Sequence, residues 1–416
     1  MNLSAVRVLD LTQLLPGPYA TQLLRDMGAE VVKVERPDGG DPGRTFGAPD
    51  TGSDGATADG HSEEAPYESS PLFDVVNRGK RSVALDLASD AGRTAFLELA
   101  READVVVEQF RPGVVDRLGV GYEDVRAVRG DVVYCSLSAH GQTGPDSGQV
   151  GHDLTCAGAA GLVDMTRPDP GADPVLPGFP VADMAGGLFA ALSVVSGLLS
   201  RELGGQTDGD DGGREGEYLD VAMTDAVLSL SQVVAGPAMA GCDQRSGETT
   251  LTGAYSCYGI YECADGRYVT LAALEPRFWE AFCRAVDRPD LVDTHMAADA
   301  ATRDHVRAEL TELFRERSRD VWVEEFGDVD AMIAPVHSVA EALSDPCLGG
   351  RGVVQDVDGL LRRAAFPVQG SDGPRLTTDP APALGEHTAE VLGEAGYTRA
   401  EIATLQAAGV VSTPED

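Results

Sequence analysis

Lysine is almost absent from this chain. Of 416 residues 32 are basic, and only Lys33 and Lys80 are lysines; the rest are arginines. Against them stand 68 acidic residues, for a formal net charge of -36. So large an excess repels phosphate backbones and excludes nucleic acid as an expected partner. The acids are scattered along the chain rather than gathered in a tail. A surface of that kind stays hydrated, and its self-repulsion is screened, in concentrated salt. A halophilic protein is therefore expected.

Other absences narrow the class further. The seven cysteines (135, 156, 242, 257, 263, 283 and 347) show no CxxC or Cys/His spacing. Neither a disulfide framework nor a zinc site is expected, and no metal at all; the thiols read as reduced core residues. The N-terminal segment lacks a basic stretch followed by a long apolar one, so no secretory signal is expected. No run reaches the roughly 20 uninterrupted apolar residues of a membrane span, so no membrane partner and a cytoplasmic location are expected. The first strand-to-helix turn is "TQLLPGPYA", not GxGxxG, which argues against a nicotinamide or flavin site.

What is present alternates. "VRVLDL" (6–11), "EVVKVE" (30–35), "SVALDL" (82–87), "DVVVEQF" (104–110) and "DVVYCSLS" (131–138) read as buried strands. Between them, 18–29 and 90–103 read as helices. The pattern predicts an α/β fold with a mostly parallel sheet covered on both faces. Residues 183–203 form a long apolar helix, whose Gly and Ala content predicts close packing on another helix. "YSCYGIYECADGRYVTLAAL" (255–274) is a hairpin with an Asp-Gly turn, followed by helices around 276–287, 301–317 and 320–327. The expected organisation is a large domain over 1–203 with a mobile insertion at 45–68, a linker and crossing helix over 204–240, a small domain over 241–338, and a return to the large domain over 339–416.

"GHDLTCAGAAG" (151–161) sets His152 and Asp153 side by side at a helix start. From the residues alone His152 is a base or a loop histidine, and Asp153 a nucleophile or a helix cap. Asp183, opening the long helix, and Glu275, before Pro276, have the same capping alternative.

With these landmarks placed, the chain resembles the class III CoA-transferase (CaiB/BaiF) family along nearly its whole length, and within it the α-methylacyl-CoA racemase branch. The resemblance rests on "VLDLTQLLPGPYATQLLRDMGAEVVKVERP" (8–37), "NRGKRSVALDL" (77–87), "EQFRPGVVDRLGVGYE" (108–123), "LSAHGQTGP" (137–145), "VGHD" (150–153), "VADMAGG" (181–187), "YECADGRYVTLAALEPRFW" (261–279) and "LGEHTAEVL" (384–392), in family order. It implies a Rossmann-like large domain with an inserted smaller α+β domain, and two chains interlocked as a homodimer. The implied substrate is an acyl-CoA, with coenzyme A as part of the substrate and no prosthetic group.

The racemase pattern implies that His152 and Asp183 move the α-proton of a 2-methylacyl-CoA between two faces, with Glu275 orienting the histidine. The alternative is CoA transfer between carboxylic acids, for example from succinyl-CoA to a short dicarboxylate such as mesaconate, with Asp153 as nucleophile through anhydride and enzyme-thioester intermediates. A third reading is a non-catalytic acyl-CoA-binding protein. Transferases carry an aromatic residue before the aspartate and a glutamine shortly after; here His152, Cys156 and Ala157 stand in that neighbourhood, which favours racemisation. For the CoA moiety the resemblance implies Arg36, Arg111 and Arg117, with Gly151, Lys80 and Arg81 as further candidates.

Overall fold

Strands that read as continuous apolar runs need helices on both faces, and the chain supplies them by alternation. The computed structural model describes residues 2–46, 70–204, 215–242, 244–357, 360–364, 366–370 and 379–414. It divides into two units. The first comprises Met1–Ala160, Gly178–Leu230 and Pro346–Asp416; the second comprises Gly161–Pro177 and Ser231–Asp345. The expected boundaries at 204–240 and 241–338 differ from this division. Residues up to Leu230 remain with the first unit, and 161–177 join the second. Most of the expected insertion at 45–68 and of the linker at 204–217 lies outside the described residues.

The first unit opens with β1 (Arg7–Leu11), α1 (Pro16–Asp26), β2 (Glu30–Glu35), α2 (Pro71–Asn77), β3 (Arg81–Leu85), α3 (Asp90–Ala100) and β4 (Val105–Glu108). It continues with α4 (Val114–Leu118), α5 (Tyr122–Val128), β5 (Val133–Ser138), α6 (Asp153–Ala159), α7 (Val181–Gly204), β6 (Glu217–Ala222) and α8 (Met223–Leu230). The six strands are parallel, in the order β3-β2-β1-β4-β5-β6. That is the doubly wound order of dinucleotide-binding folds, reached here without their glycine fingerprint. Helix α1 starts two residues before the expected position because Pro16 takes the first helical place, where its missing N–H costs nothing.

Among the described residues α7 is the one helix long and apolar enough to cross a membrane, and half of its most apolar window is buried. The burial follows from its small residues. A Cβ at Gly187 would lie 2.5 Å from the Pro16 carbonyl oxygen, and one at Gly186 would lie 2.8 Å from Met223 Cγ. Glycine at these two positions lets α7 approach α1 and α8 backbone to backbone.

The second unit holds α9 (Gln232–Met239), β7 (Tyr258–Glu262), β8 (Tyr268–Ala272), α10 (Pro276–Ala285), α11 (Ala300–Phe314), α12 (Arg319–Glu325), β9 (Ile333–Pro335) and α13 (Val339–Ser344). The hairpin turns at Asp265-Gly266, where Gly266 has φ +73°, and β9 adds an unexpected third antiparallel strand. Trp279, Phe282, Phe314 and Trp322 form its core, and both indole N–H groups donate to backbone carbonyls. The chain then returns to the first unit through α14 (Pro346–Gly350), the hairpin β10 (Val354–Val357) and β11 (Leu360–Ala364), α15 (Thr388–Glu394), α16 (Arg399–Ala407) and β12 (Val411–Ser412). Strand β12 closes the β3 edge of the main sheet antiparallel.

Candidate active site

In a doubly wound sheet the loops at the carboxyl ends of the strands part where the strand order reverses, here between β1 and β4. A cleft of about 430 Å³ lies there. The loop after β1 contributes Gln13 and Leu14, the loop after β4 Gln109 and Arg111, the end of β5 Ser138, and the segment after it Gly151 and His152.

The Gly-His-Asp stretch reaches this place because β5 ends in a loop that folds back on itself. A Cβ at Gly151 would fall 2.7 Å from Ala139 Cβ and 3.1 Å from Cys156 Sγ, so only glycine fits. The start of α6 is closed by Thr155, whose hydroxyl accepts from the His152 amide (2.9 Å) and donates to the His152 carbonyl (2.8 Å). Asp153 is therefore not spent on its own helix. Its Oδ1 instead accepts the backbone amides of Ala182 (2.6 Å) and Asp183 (3.1 Å) in the first turn of α7. It is a cap, but of a helix begun 28 residues further along the chain, and among the described residues no hydrogen bond occupies its second oxygen. A carboxylate so placed is stabilised by about 0.3–1 kcal/mol through the helix dipole.

This arrangement also sets Asp183 beside Asp153. Burial first, and the Asp153 charge second, push the Asp183 carboxyl up to about 6, while His152 acts in the opposite direction. His152, Asp153 and Asp183 are thus one cluster. Glu275 belongs to the second unit, where it precedes Pro276 at the start of α10 and its carbonyl accepts the amides of Phe278 and Trp279.

The basic candidates separate sharply. Arg111 is exposed on the cleft wall and has no carboxylate within salt-bridge distance among the described residues. Arg36, just past β2 at the same end of the sheet, donates only a long bond to the Gly40 carbonyl (3.4 Å). Arg117 is likewise exposed without an acidic partner among the described residues. Lys80 and Arg81 do not fit the expected CoA role. Lys80 is 2 % exposed, and its ammonium group meets Asp10 Oδ2, the Pro18 carbonyl, Thr21 Oγ1 and Asn77 Oδ1 within 3.0 Å. No donor is left for a phosphate. Arg81 begins β3, at the opposite end of the sheet, and is held by Glu30, Glu390 and Glu394.

Several site residues were not anticipated from the sequence. Gln13 and Leu14 line the cleft, and Leu14 has φ +61°, a left-handed conformation costing a non-glycine residue roughly 1–2 kcal/mol. Ser138 Oγ is buried on the cleft wall with no hydrogen-bond partner among the described residues. It sits in "LSAHGQTGP", a motif in which a serine among small residues carries no local sign of facing a cleft. Among the described residues no group of three or more His, Cys, Asp or Glu side chains could hold a metal.

His152 and Arg111 line one cleft at the switch point of a doubly wound sheet, and the carboxylate next to His152 is cradled by helix amides, a setting suited to an anionic ligand. The chain belongs to CoA-transferase family III, whose model matches residues 3–388. It is 31% identical over 422 residues to human succinyl-CoA:glutarate CoA-transferase, covering 99% of this chain and 90% of the relative. It is 36% identical over 410 residues to succinyl-CoA:mesaconate CoA-transferase of Haloarcula hispanica, covering 95% of this chain and 96% of the relative. A CaiB/BaiF family protein from Brucella suis has the same fold, with TM-score 0.77 and 28% identity over 95% of this chain and 100% of that one.

The chain is therefore an enzyme of CoA-transferase family III, and the named relatives favour transfer over the expected racemisation. Cys156 and Ala157, which stand in the neighbourhood of the transferase glutamine, are 0% exposed and do not line the cleft, and Cys156 Sγ lies against the Ala139 carbonyl.

Proposed function

We propose that this enzyme transfers CoA from succinyl-CoA to a short dicarboxylic acid of the size of glutarate or mesaconate, with Asp153 as the nucleophile. The observation that carries the reading is the two-amide hold on Asp153 Oδ1. The free oxygen, Oδ2, attacks the donor thioester carbonyl; the C–S bond breaks and CoA leaves as thiolate. The thiolate then attacks the Asp153 carbonyl carbon of the mixed anhydride and releases the donor acid, leaving CoA on Asp153 as a thioester. The acceptor carboxylate displaces CoA to form a second anhydride. Attack of the thiolate on the acceptor carbonyl then releases the new acyl-CoA and restores the Asp153 carboxylate. Whenever the Asp153 carbon becomes tetrahedral its oxygen carries negative charge, and the Ala182 and Asp183 amides already point at that atom.

Arg111, Arg36 and Arg117, which have no acidic partner among the described residues, are available to the CoA phosphates. The interlocked homodimer that the resemblance implies is supported by Leu188, Leu192, Leu199 and Leu203, an exposed apolar row along α7 that a single chain leaves in water. Sedimentation at single-chain mass overturns that part.

Asp153→Asn is expected to abolish transfer from succinyl-CoA to glutarate or mesaconate, and hydroxylamine added after succinyl-CoA is expected to label Asp153. Exchange of the α-proton of an acyl-CoA into deuterated water without an acceptor acid, and with no labelled Asp153, overturns the reading in favour of racemisation.

A further inference from the structure

Gln13 and Leu14 make one wall of the cleft, and their turn is held in a conformation that its own residues do not favour. Leu14, at φ +61°, lies where a side chain crowds its own backbone. Its amide donates to Asp41 Oδ1 at 2.9 Å, and the same oxygen accepts the Gly43 amide at 2.7 Å. The other oxygen, Oδ2, lies 2.9 Å from Lys33 Nζ, in an ion pair whose two side chains are both 0% exposed. Lys33 Nζ also donates to the Thr12 carbonyl at 2.8 Å. One ammonium group therefore grips the backbone just before Gln13 and, through Asp41, the amide just after it.

We propose that Lys33 and Asp41 are positioning residues for the substrate cleft: together they staple the Thr12–Leu14 turn into its left-handed form and so set the wall that Gln13 and Leu14 present to the acyl-CoA. A lysine suits the task. Its three donors can turn toward two oxygens lying in different directions, whereas the flat fork of arginine cannot. The proposal rests on the reading that this cleft holds the substrate.

The test compares two substitutions at one position. If the backbone conformation matters, Leu14→Gly, which adopts φ +61° freely but gives up the side-chain contact, raises KM for succinyl-CoA only a fewfold. Leu14→Val is closer in size but β-branched and poorly suited to that region; it raises KM about tenfold with kcat little changed. If the leucine side chain alone matters, the order reverses, and Gly is the worse replacement. Asp41→Asn is expected to raise KM like Leu14→Val, and adding Leu14→Gly to it is expected to bring KM down to that of Leu14→Gly alone. Gly worse than Val, or no change in KM for Leu14→Val, overturns the proposal. Arg111→Ala, measured alongside, tells whether the cleft reading has failed with it: an unmoved KM there removes the cleft itself.

Discussion

The carboxyl end of the central sheet carries charge on both sides of β1, and the two sides treat it oppositely. Toward β2 and β3, Asp10, Lys33, Glu35, Asp41, Arg44 and Lys80 form a closed set. Asp10 accepts from Thr12, Thr21 and Lys80, while Glu35 binds Arg44, Ser82 and the Asp41 amide. Toward β4 and β5, Arg111 has no acidic partner among the described residues, and Asp183 shares its neighbourhood with a second carboxylate. The carboxyl groups register the difference. Burial would raise Asp10, but Lys80 and Lys33 outweigh it and hold it at about 2; Asp183 is pushed up to about 6. A charged residue in a family motif marks a site only if its neighbours leave it something to do.

The largest expected effect comes from breaking the closed side. Lys80→Met leaves the buried Asp10 carboxylate without its nearest cation and should cost about 3–5 kcal/mol of stability, read as a shift in the denaturant midpoint. The molecules that remain folded should keep their KM for succinyl-CoA. Removing both charges with Asp10→Asn and Lys80→Met should cost less than the sum of the single changes. A raised KM with unchanged stability in Lys80→Met would restore the CoA-contact role that its motif suggested.

A smaller effect, on a different quantity, sharpens the comparison from the open side. Arg111→Ala should leave stability within about 0.5 kcal/mol, as surface changes do. It should raise KM for acyl-CoA by roughly 10- to 100-fold, the size of a hydrogen bond to a charged group. Loss in kcat with KM unchanged would place Arg111 at the reacting atoms rather than on a remote part of the substrate.

The two sides also differ in how much the sequence discloses. Strand β2 lies where expected, at Glu30–Glu35, because its apolar run is bounded by a helix end before it and a proline after it. The Gly-His-Asp stretch, Asp183 and Arg111 were legible as motif members. That Asp153 caps α7 rather than α6 was not, because it depends on a packing between helices that no local pattern encodes. Lys80 and Arg81 stand next to each other in "NRGKRS", yet one points into the core and the other pairs at the far end of the sheet. Alternation along a strand predicts that they part, but not which one meets a ligand. Strand β9, three residues ending in Pro335, is too short to show a period, and the left-handed Leu14 carries no glycine to announce it.

The smallest expected effect lies inside the open side, between its two carboxyl groups. Asp183 binds a proton more readily in the folded chain, at about 6, than at its ordinary value of 3.8. Its contribution to stability is therefore full at the acid end and is lost as pH rises through about 6, and Asp183→Asn should flatten that part of the stability profile. The same titration should be visible in turnover. As Asp183 loses its proton near 6, it adds a negative charge beside the place where an anionic acceptor must arrive. KM for the acceptor acid should therefore rise a fewfold as pH increases through 6, and the rise should vanish in Asp183→Asn. Asp153→Asn removes the second cause of the shift but not the first, so Asp183 should then titrate lower than in the wild type while remaining above 3.8, which NMR of the labelled carboxyl can follow. If Asp183 titrates at the same pH with and without the Asp153 charge, the two carboxylates do not share a site and the open side loses its centre.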